Sequence, residues 1–449
     1  MPDIQATLQT FLDENPDIEI FEVMLKDLCG GLRGKWVTRD KIHKVMAGQL
    51  KMPLSTLAFD IWGRDGEEWV FATGDGDGYC RPDIRTLVPT PWAERPSGQV
   101  LMSMAQIDGM PCRYDPRMII TGLVERLAEH GLTPVMATEM EFHLLQAEMD
   151  PSGLPQHTQS DRLGGTLAAG QTYGMDAMAE QAPVLHAIRD ACVAQGLPVD
   201  TLIKESAPSQ YEINLYHTAD ALLAADQAVM LQRAIKGVAR QHGYRATFMA
   251  KPFADIPGNG MHVHCSLQGA DGGNAFDDGT DQGSPLLRQA IAGCLDMLQE
   301  SMLLFAPNLN SYRRFQRGTH APLAPTWGYE NRTVAIRVPA DAPSARRIEH
   351  RVAGADANPY LVIAGILAGI LHGIEGELEP PTPLEGNAYD QVPPSLPRYW
   401  PDALAYFQGS EVVRARFGED FQKVFSILKQ QELDEHDRQV TVLEYEGCL

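Results

Sequence analysis

Three segments of the chain carry polar side chains at every second position of a mostly apolar run. They contain Glu139 and Glu141, then Gln210, Glu212 and Asn214, then His262, His264 and Ser266. Residues i and i+2 of a β-strand point to the same face, about 6.6 Å apart. Each segment is therefore predicted to be a strand with one polar face. Together the three faces predict one cavity lined by acidic and imidazole groups.

The order of the predicted elements indicates an α+β fold. A strand at 18–28, a turn at 29–31 and a returning strand at 32–37 open the chain. Helices are then predicted at 117–129, 182–195, 220–242, 285–305 and 359–376, and strands at 135–146, 201–216, 247–251 and 262–267. With 449 residues the chain exceeds a typical single domain. We therefore expect a small β-rich domain at 1–110 and a large domain at 111–449.

The most apolar run, Leu361 to Leu371, is much shorter than the roughly 20 residues that span a bilayer. Its glycines, with Gly373, repeat every four residues at 365, 369 and 373. Small residues at this spacing let two helices approach closely. The run is therefore predicted to be a buried helix packed against a neighbouring helix.

The charge balance excludes some classes of partner. With 37 Lys and Arg against 59 Asp and Glu, the formal net charge is −22. This argues against binding to nucleic acid or to an anionic membrane. The 7 cysteines are scattered and form no CxxC pair, so neither a disulfide framework nor a thiolate zinc site is predicted. No signal peptide is recognised at the N-terminus, and we expect a cytoplasmic protein.

The residue types on the polar faces favour metal and phosphate chemistry. Carboxylate oxygens with a single imidazole suit Mg²⁺ or Mn²⁺ better than Zn²⁺. Two adjacent ions of this kind would match phosphoryl transfer from a nucleotide. Taken singly, each pair is more typical of the solvated face of an antiparallel strand. Only the combination of all three favours a functional site.

Four arginines downstream, Arg332, Arg337, Arg347 and Arg351, extend this pattern. Guanidinium groups pair bidentately with phosphoryl groups and carboxylates, so they would suit a phosphoryl group in transfer or an α-carboxylate. Taken alone, such arginines more often form structural ion pairs.

Ordered sequence blocks make the chain resemble the glutamine synthetase family over nearly its whole length. The blocks are the strand at Glu139, Gln210-Tyr211-Glu212, Phe248 to Pro252 followed by Gly260 to His264, Asn310 to Arg314, Asn331-Arg332, and Arg347 to Tyr360. The resemblance implies a small N-terminal β-grasp domain and a large catalytic domain whose antiparallel sheet forms the active-site cavity. It also implies a homo-oligomer, usually a dodecamer of two hexameric rings, with each active site shared between neighbouring subunits.

The resemblance also implies roles for individual residues. Two or three Mg²⁺ or Mn²⁺ ions would bind each site, one held by Glu141, Glu205 and Glu212 and another by Glu139, His262 and Glu349. ATP, the co-substrate, would contact His264, Ser266, Arg337 and Arg347. Glutamate would be held by Arg314 and Arg351, with Gly258 in its binding loop. Arg332 would stabilise the phosphoryl group, and Glu349 and His320 complete the expected catalytic set.

The chain departs from the family pattern where ammonia-using members bind ammonium. Their flap glutamate is replaced by His320, within Gly318-Thr319-His320-Ala321-Pro322. The asparagine that opens the glutamate loop is Pro257, and Asp60 is only a loose match to the N-terminal ammonium-binding acid. Ammonium needs a negative cage that binds it and removes a proton. The chain therefore resembles the γ-glutamylputrescine synthetase-like branch, which makes γ-glutamylamides from primary amines.

The expected activity is an ATP-dependent ligation of glutamate to a primary mono- or polyamine through γ-glutamyl phosphate. One alternative is an ammonia-using glutamine synthetase, and another is a catalytically silent relative that acts as a sensor or structural protein. A further alternative for His320 is a surface loop residue without a chemical role. The sequence leaves open which amine is used and whether Tyr389 is modified.

Overall fold

The computed structural model describes residues 4–159 and 170–449. Its first sheet has six strands, all between residues 20 and 105. They are Ile20–Lys26, Leu32–Thr38, Lys51–Pro53, Asp77–Pro82, Val88–Pro89 and Ser97–Ala105. Leu32–Thr38 lies at one edge and pairs antiparallel with Ile20–Lys26, which lies parallel to Ser97–Ala105. The predicted hairpin at the start of the chain is confirmed.

The second sheet has eight strands and carries the predicted polar faces. Its strands are Thr133–Gln146, Val199–Lys204, Gln210–Leu215, Tyr244–Thr247, Met261–Gln268, Trp327–Tyr329, Ile336–Val338 and Ile348–His350. Thr133–Gln146 is central, with Met261–Gln268 antiparallel on one side and Gln210–Leu215 antiparallel on the other. The two sheets and their helices confirm the α+β class. The division at residue 110 into a β-grasp domain and a catalytic domain stays a prediction.

Helices cover the apolar faces of both sheets and form the C-terminal region. The described α-helices are Ile4–Glu14, Ile42–Met46, Glu67–Thr73, Pro116–Glu129, Met175–Ala179, Ala182–Ala194, Ala221–Gln241, Pro285–Asp296, Leu298–Phe305, Pro359–Glu375, Ala388–Gln391, Trp400–Gly409, Glu411–Phe417, Glu419–Asp437 and Val442–Cys448. Between residues 4 and 159 and from 170 onward, no helix has both the length and the apolar character to cross a bilayer.

The helix Pro359–Glu375 is buried and packs against Pro285–Asp296, as its glycine spacing predicts. A Cβ atom on Gly373 would lie 1.8 Å from the carbonyl oxygen of Gln289, and one on Gly293 would lie 2.1 Å from that of Gly369. Neither distance is sterically allowed, so only glycine permits this contact between the two backbones.

A buried ion-pair network joins the first sheet to the helices behind the second. The Arg117 guanidinium donates from Nε to Asp226 Oδ1 at 2.9 Å. Its Nη2 atom donates to Asp226 Oδ2 at 2.7 Å and to Asp83 Oδ2 at 2.9 Å. The Tyr360 hydroxyl donates to Asp226 Oδ1 at 2.5 Å. Buried charges are tolerated when they are paired in this way, and the network fixes three helices relative to the first sheet.

Two predicted elements differ in the structure. The strand predicted at 247–251 is wrong, because the strand is Tyr244–Thr247 and the chain then leaves the sheet. The helix predicted at 285–305 is two helices that meet at Met297. After Thr247, Met249 O accepts a hydrogen bond from Asn259 Nδ2 at 2.9 Å, and Lys251 N donates to Asn310 Oδ1 at 2.8 Å, in place of bonds to a neighbouring strand.

Candidate active site

Strand register brings the predicted polar faces together at the centre of the second sheet. Glu141 lies opposite Glu212 on one side, and Glu139 lies opposite His262 on the other. One strand further out, His264 lies opposite Glu349. Directly opposed residues of antiparallel strands point to the same face, so these side chains converge.

Glu139 lies at the middle of this cluster and accepts hydrogen bonds from two imidazoles. Its Oε2 lies 3.1 Å from His262 Nδ1 and its Oε1 lies 2.8 Å from His264 Nε2. Burial would raise the pKa of Glu139, but the two histidines outweigh it and hold the pKa well below its usual value. Burial lowers the pKa of His262, with a further contribution from Arg351. His262 is therefore neutral at pH 7 and keeps a lone pair for a ligand.

Three other carboxylates of the cluster repel one another. Burial raises the pKa of Glu212 to about 9, with further contributions from Glu139, Glu141 and Glu205. Burial and the charge of Glu205 raise the pKa of Glu141 to about 7, and burial also raises the pKa of Glu205. More negative charge is gathered here than the neighbouring cations neutralise, which is the electrostatic condition of a cation site.

Glu349 is 1% exposed and lies between two arginines. Its Oε2 accepts a hydrogen bond from Arg337 at 2.6 Å, and its Oε1 accepts one from Arg351 and lies 3.8 Å from His262 Nδ1. Burial would raise the pKa of Glu349, but Arg351 and His262 hold it below its usual value. The Nε atoms of Arg337 and Arg351 are buried and have no hydrogen-bond partner among the residues that the structure describes. Such unpaired donors are costly unless an anion satisfies them.

The cluster contains two groups of ligand atoms that fit a divalent cation. Glu139, Glu212 and His262 form one group, and Glu139, His264 and Glu349 form the other, with ligand atoms within 4.8 Å of one another in each. Carboxylate oxygens with one imidazole per group fit Mg²⁺ or Mn²⁺. Neither predicted ligand set coincides with one of these groups. The two groups nevertheless contain four of the six predicted ligands, and the charges of the other two, Glu141 and Glu205, contribute to the raised pKa of Glu212.

A cavity of 730 Å³ opens beside this cluster. It is lined by Glu139 and by three residues predicted to contact ATP, His264, Ser266 and Arg347. Arg347 Nε donates to His264 Nδ1 at 3.0 Å and so fixes the imidazole. Arg337, the fourth predicted ATP contact, donates to Glu349 and does not line the cavity. The volume lies in the range of small-molecule sites.

A hydrogen-bond network under the 258–260 loop was not predicted from the sequence. The Gln210 Nε2 atom donates to Gly258 O at 2.9 Å, Glu141 Oε2 at 3.2 Å and Asn259 Oδ1 at 3.3 Å. His143 Nδ1 lies 2.8 Å from Asn259 Oδ1, and burial lowers the pKa of His143 to about 3. His143 is therefore neutral and donates from Nδ1, which fixes the side-chain amide of Asn259. The signals in the sequence were the positions of Gln210 and His143 on the polar faces of their strands, with His143 two residues after Glu141.

The predicted glutamate-binding residues lie against this loop. A Cβ atom on Gly258 would lie 1.9 Å from Ala250 O, and one on Gly260 would lie 2.7 Å from an Arg314 terminal nitrogen. The loop therefore approaches both its own backbone and Arg314 as closely as glycine permits. Arg314 is buried, and its NH1 donates to Val352 O at 2.8 Å.

Arg332 and His320 lie on exposed loops. Arg332 has no hydrogen-bond partner among the described residues, but its charge opposes the raised pKa of Glu205. His320 has a left-handed backbone with φ of 57°, which is uncommon for a residue with a side chain. Its imidazole has no hydrogen-bond partner within the described part of the chain.

Asp60 is fully buried and is saturated by hydrogen bonds. It accepts from the backbone amides of Trp62 and Arg64, both at 2.9 Å, from Arg64 Nε at 2.7 Å and from Gln431 Nε2 at 2.8 Å. These contacts fix a loop of the first sheet on the helix Glu419–Asp437. Within one chain, the Asp60 carboxylate has no capacity left for ammonium.

Comparison with known proteins identifies relatives of this chain in sequence and in structure. A model of the glutamine synthetase catalytic domain matches residues 113–447. Gamma-glutamylputrescine synthetase PuuA of Escherichia coli is 39% identical over 98% of this chain and 94% of its own. Gamma-glutamylethanolamide synthetase GlnA4 of Streptomyces coelicolor is 34% identical over 95% and 91%. A solved structure of GmaS in complex with ADP superposes with a TM-score of 0.85 at 29% identity, covering 100% of this chain and 99% of that one.

Proposed function

The chain belongs to the glutamine synthetase family, and we propose that within it the protein is an ATP-dependent ligase that joins the γ-carboxylate of glutamate to a primary amine. The observation that carries this proposal is the cluster of carboxylates and imidazoles around Glu139, next to a cavity of 730 Å³. The names of PuuA and GlnA4 state γ-glutamylamide synthesis for those relatives. A catalytically silent protein would have no use for so many mutually repelling carboxylates.

The excess negative charge supports binding of divalent cations. We assign Glu141, Glu205 and Glu212 to one ion and Glu139, His262 and Glu349 to another. Bound there, Mg²⁺ or Mn²⁺ would neutralise negative charge on the phosphoryl oxygens of ATP. ATP would occupy the cavity beside His264, Ser266 and Arg347, and the ADP bound to GmaS supports a nucleotide in a fold of this kind.

In the first step, an oxygen of the glutamate γ-carboxylate attacks the γ-phosphorus of ATP, and ADP leaves. Arg314 and Arg351 hold the glutamate, with the unpaired Arg351 Nε donating to one of its carboxylates. Arg332, which has no hydrogen-bond partner among the described residues, reaches the phosphoryl group in transfer. In the second step, the amine nitrogen attacks the γ-carbonyl carbon, phosphate leaves and the nitrogen loses a proton. The protein's contribution is positioning and charge stabilisation.

The environment of the acceptor favours an amine over ammonium. An ammonium ion gains its binding energy from carboxylates around it. His320 stands where ammonia-using relatives have a glutamate, and Asp60 is saturated within its own chain. A primary amine gains additional contacts through its carbon chain, which ammonium lacks.

We expect the enzyme to prefer a primary amine over ammonia by about 10-fold or more in kcat/KM, since one charged contact is worth about 1.5–3 kcal/mol. The measurement is ADP release with ATP, glutamate and a panel of mono- and polyamines. His320→Glu should raise ammonia use relative to amine use and leave the KM values of ATP and glutamate unchanged. Faster turnover with ammonia than with every amine would instead indicate a glutamine synthetase, and no turnover with any acceptor would indicate a silent relative.

We propose that the active protein is a ring-shaped homo-oligomer, a dodecamer of two hexamers, in which the first sheet of one subunit completes the site of the next. The proposal is supported by Leu32–Thr38, an edge strand whose residues are largely exposed in the single chain. Light scattering of the purified protein should return a mass near 12 chains of 49.4 kDa. A fully active monomer would contradict the shared site.

A further inference from the structure

The segment 384–391 connects the two loops that carry Arg332 and His320. Asn331 Nδ2 donates to Leu384 O at 3.0 Å and to Gly386 O at 2.8 Å, next to Arg332. Arg317 NH1 donates to Tyr389 O at 2.7 Å, in the loop that leads to His320. One short stretch of chain therefore holds both loops of the acceptor side, although neither loop belongs to a sheet or a long helix.

Tyr389 contacts the backbone of the residue that directly follows His320. Its ring is 9% exposed, and its hydroxyl donates to Ala321 O at 2.8 Å. That carbonyl belongs to the residue directly after His320, whose φ of 57° costs about 1 kcal/mol for a residue with a side chain. Burial raises the pKa of the Tyr389 hydroxyl, and the charges of Arg314 and Arg351 oppose this rise. A left-handed backbone conformation of this kind persists only when surrounding contacts hold it in place.

We propose that Tyr389 is a positioning residue for the acceptor: its hydroxyl fixes the 320–321 backbone and so sets where His320 stands relative to the incoming amine. The inference rests on the proposed function, since it assigns the 318–322 loop to the acceptor. The hydroxyl is buried and its hydrogen is donated to Ala321, so a modified Tyr389 could not make this contact.

The test is Tyr389→Phe, which keeps the buried ring and removes only the hydroxyl. The KM of the acceptor should rise about 3- to 10-fold, as expected for one lost hydrogen bond, while the KM values of ATP and glutamate stay within about 2-fold. The fraction of ADP released without amide product should also rise, because a looser loop admits water. The matched control is Tyr329→Phe, which removes a hydroxyl that donates to Gln282 O at the same 2.8 Å, away from this loop.

Two further measurements separate positioning from a general loss of stability. Arg317→Met removes the bond to Tyr389 O from an exposed side chain and should raise the acceptor KM in the same direction. In a His320→Ala background, Tyr389→Phe should change the acceptor KM by less than about 2-fold, because the group that it positions is absent. A raised glutamate KM with an unchanged acceptor KM, or full additivity with His320→Ala, would overturn the proposal. The acceptor KM is measured with whichever acceptor the wild type uses, amine or ammonia. The outcome of this test therefore does not depend on whether the proposed preference for amines is correct.

Discussion

Replacing Glu212 with Gln is expected to stabilise the metal-free protein and to abolish its turnover. Glu212 is 6% exposed, and burial together with three neighbouring carboxylates raises its pKa to about 9. At pH 7 the folded protein must therefore hold a proton that the unfolded chain releases. Gln needs no such proton, so the free energy of unfolding at pH 7 should rise by about 1–3 kcal/mol. Turnover should fall at least about 100-fold, because one ion loses an anionic ligand.

The sign of the pH dependence follows from the raised pKa. Between about pH 4.5 and pH 9 the folded state binds more protons than the unfolded state. The contribution of Glu212 to the stability of the metal-free wild type therefore falls as pH rises through this window, by at most about 1.4 kcal/mol per pH unit. Glu212→Gln should flatten this slope. The measurement is thermal unfolding of the metal-free protein at several pH values, with and without Mg²⁺ or Mn²⁺.

Glu129→Gln is the control for this experiment, since Glu129 is exposed at the last position of the helix Pro116–Glu129 and does not line the cavity. It should change neither stability nor turnover. Added metal should raise the Tm of the wild type and of the control more than that of Glu212→Gln. A Glu212→Gln variant that is less stable than the wild type without metal, or that keeps its turnover, would contradict a cation site at this carboxylate.

Replacing Glu349 with Ala is expected to abolish ADP release and to destabilise the fold. Its effect on stability is therefore opposite to that of Glu212→Gln. Glu349 is 1% exposed and is the shared partner of Arg337 and Arg351. Its removal leaves buried guanidinium charge unpaired, which costs about 3–5 kcal/mol. Loss of the same carboxylate removes a ligand of the proposed second ion, so turnover should fall at least about 100-fold.

Glu349→Gln separates the two effects, because it keeps the size of the side chain and a hydrogen-bond acceptor. Its loss of unfolding free energy should be about half that of the Ala variant, while its turnover should be just as low. Urea unfolding and ADP release measure the two quantities on the same preparations. Should Glu349→Gln turn over normally at ordinary Mg²⁺, Glu349 is a structural partner of the arginines and not a metal ligand.

The candidate site could be predicted largely from local pattern, but the pairing of its members could not. Period-2 polarity identified Glu139, Glu141, Glu212, His262 and His264 as members of polar strand faces. Which carboxylate meets which imidazole depends on register between strands that lie far apart in the chain. The two ligand sets implied by the family resemblance stay a prediction. His143 and Asn259 were missed because their roles come from the hydrogen bonds that they exchange across the fold.

The sequence by itself determined the α+β class, the family, the polar strand faces and the glycine-spaced helix at 359–375, because each rests on periodicity or on an ordered motif. Tertiary structure alone decided that the chain leaves the sheet after Thr247, that Gln431 of a helix near the C-terminus donates to Asp60, and that Tyr389 holds Ala321. Each of these depends on donors and acceptors that are distant in sequence. Local propensity carries no information about such partners, since a buried polar group takes whichever partner packing brings to it.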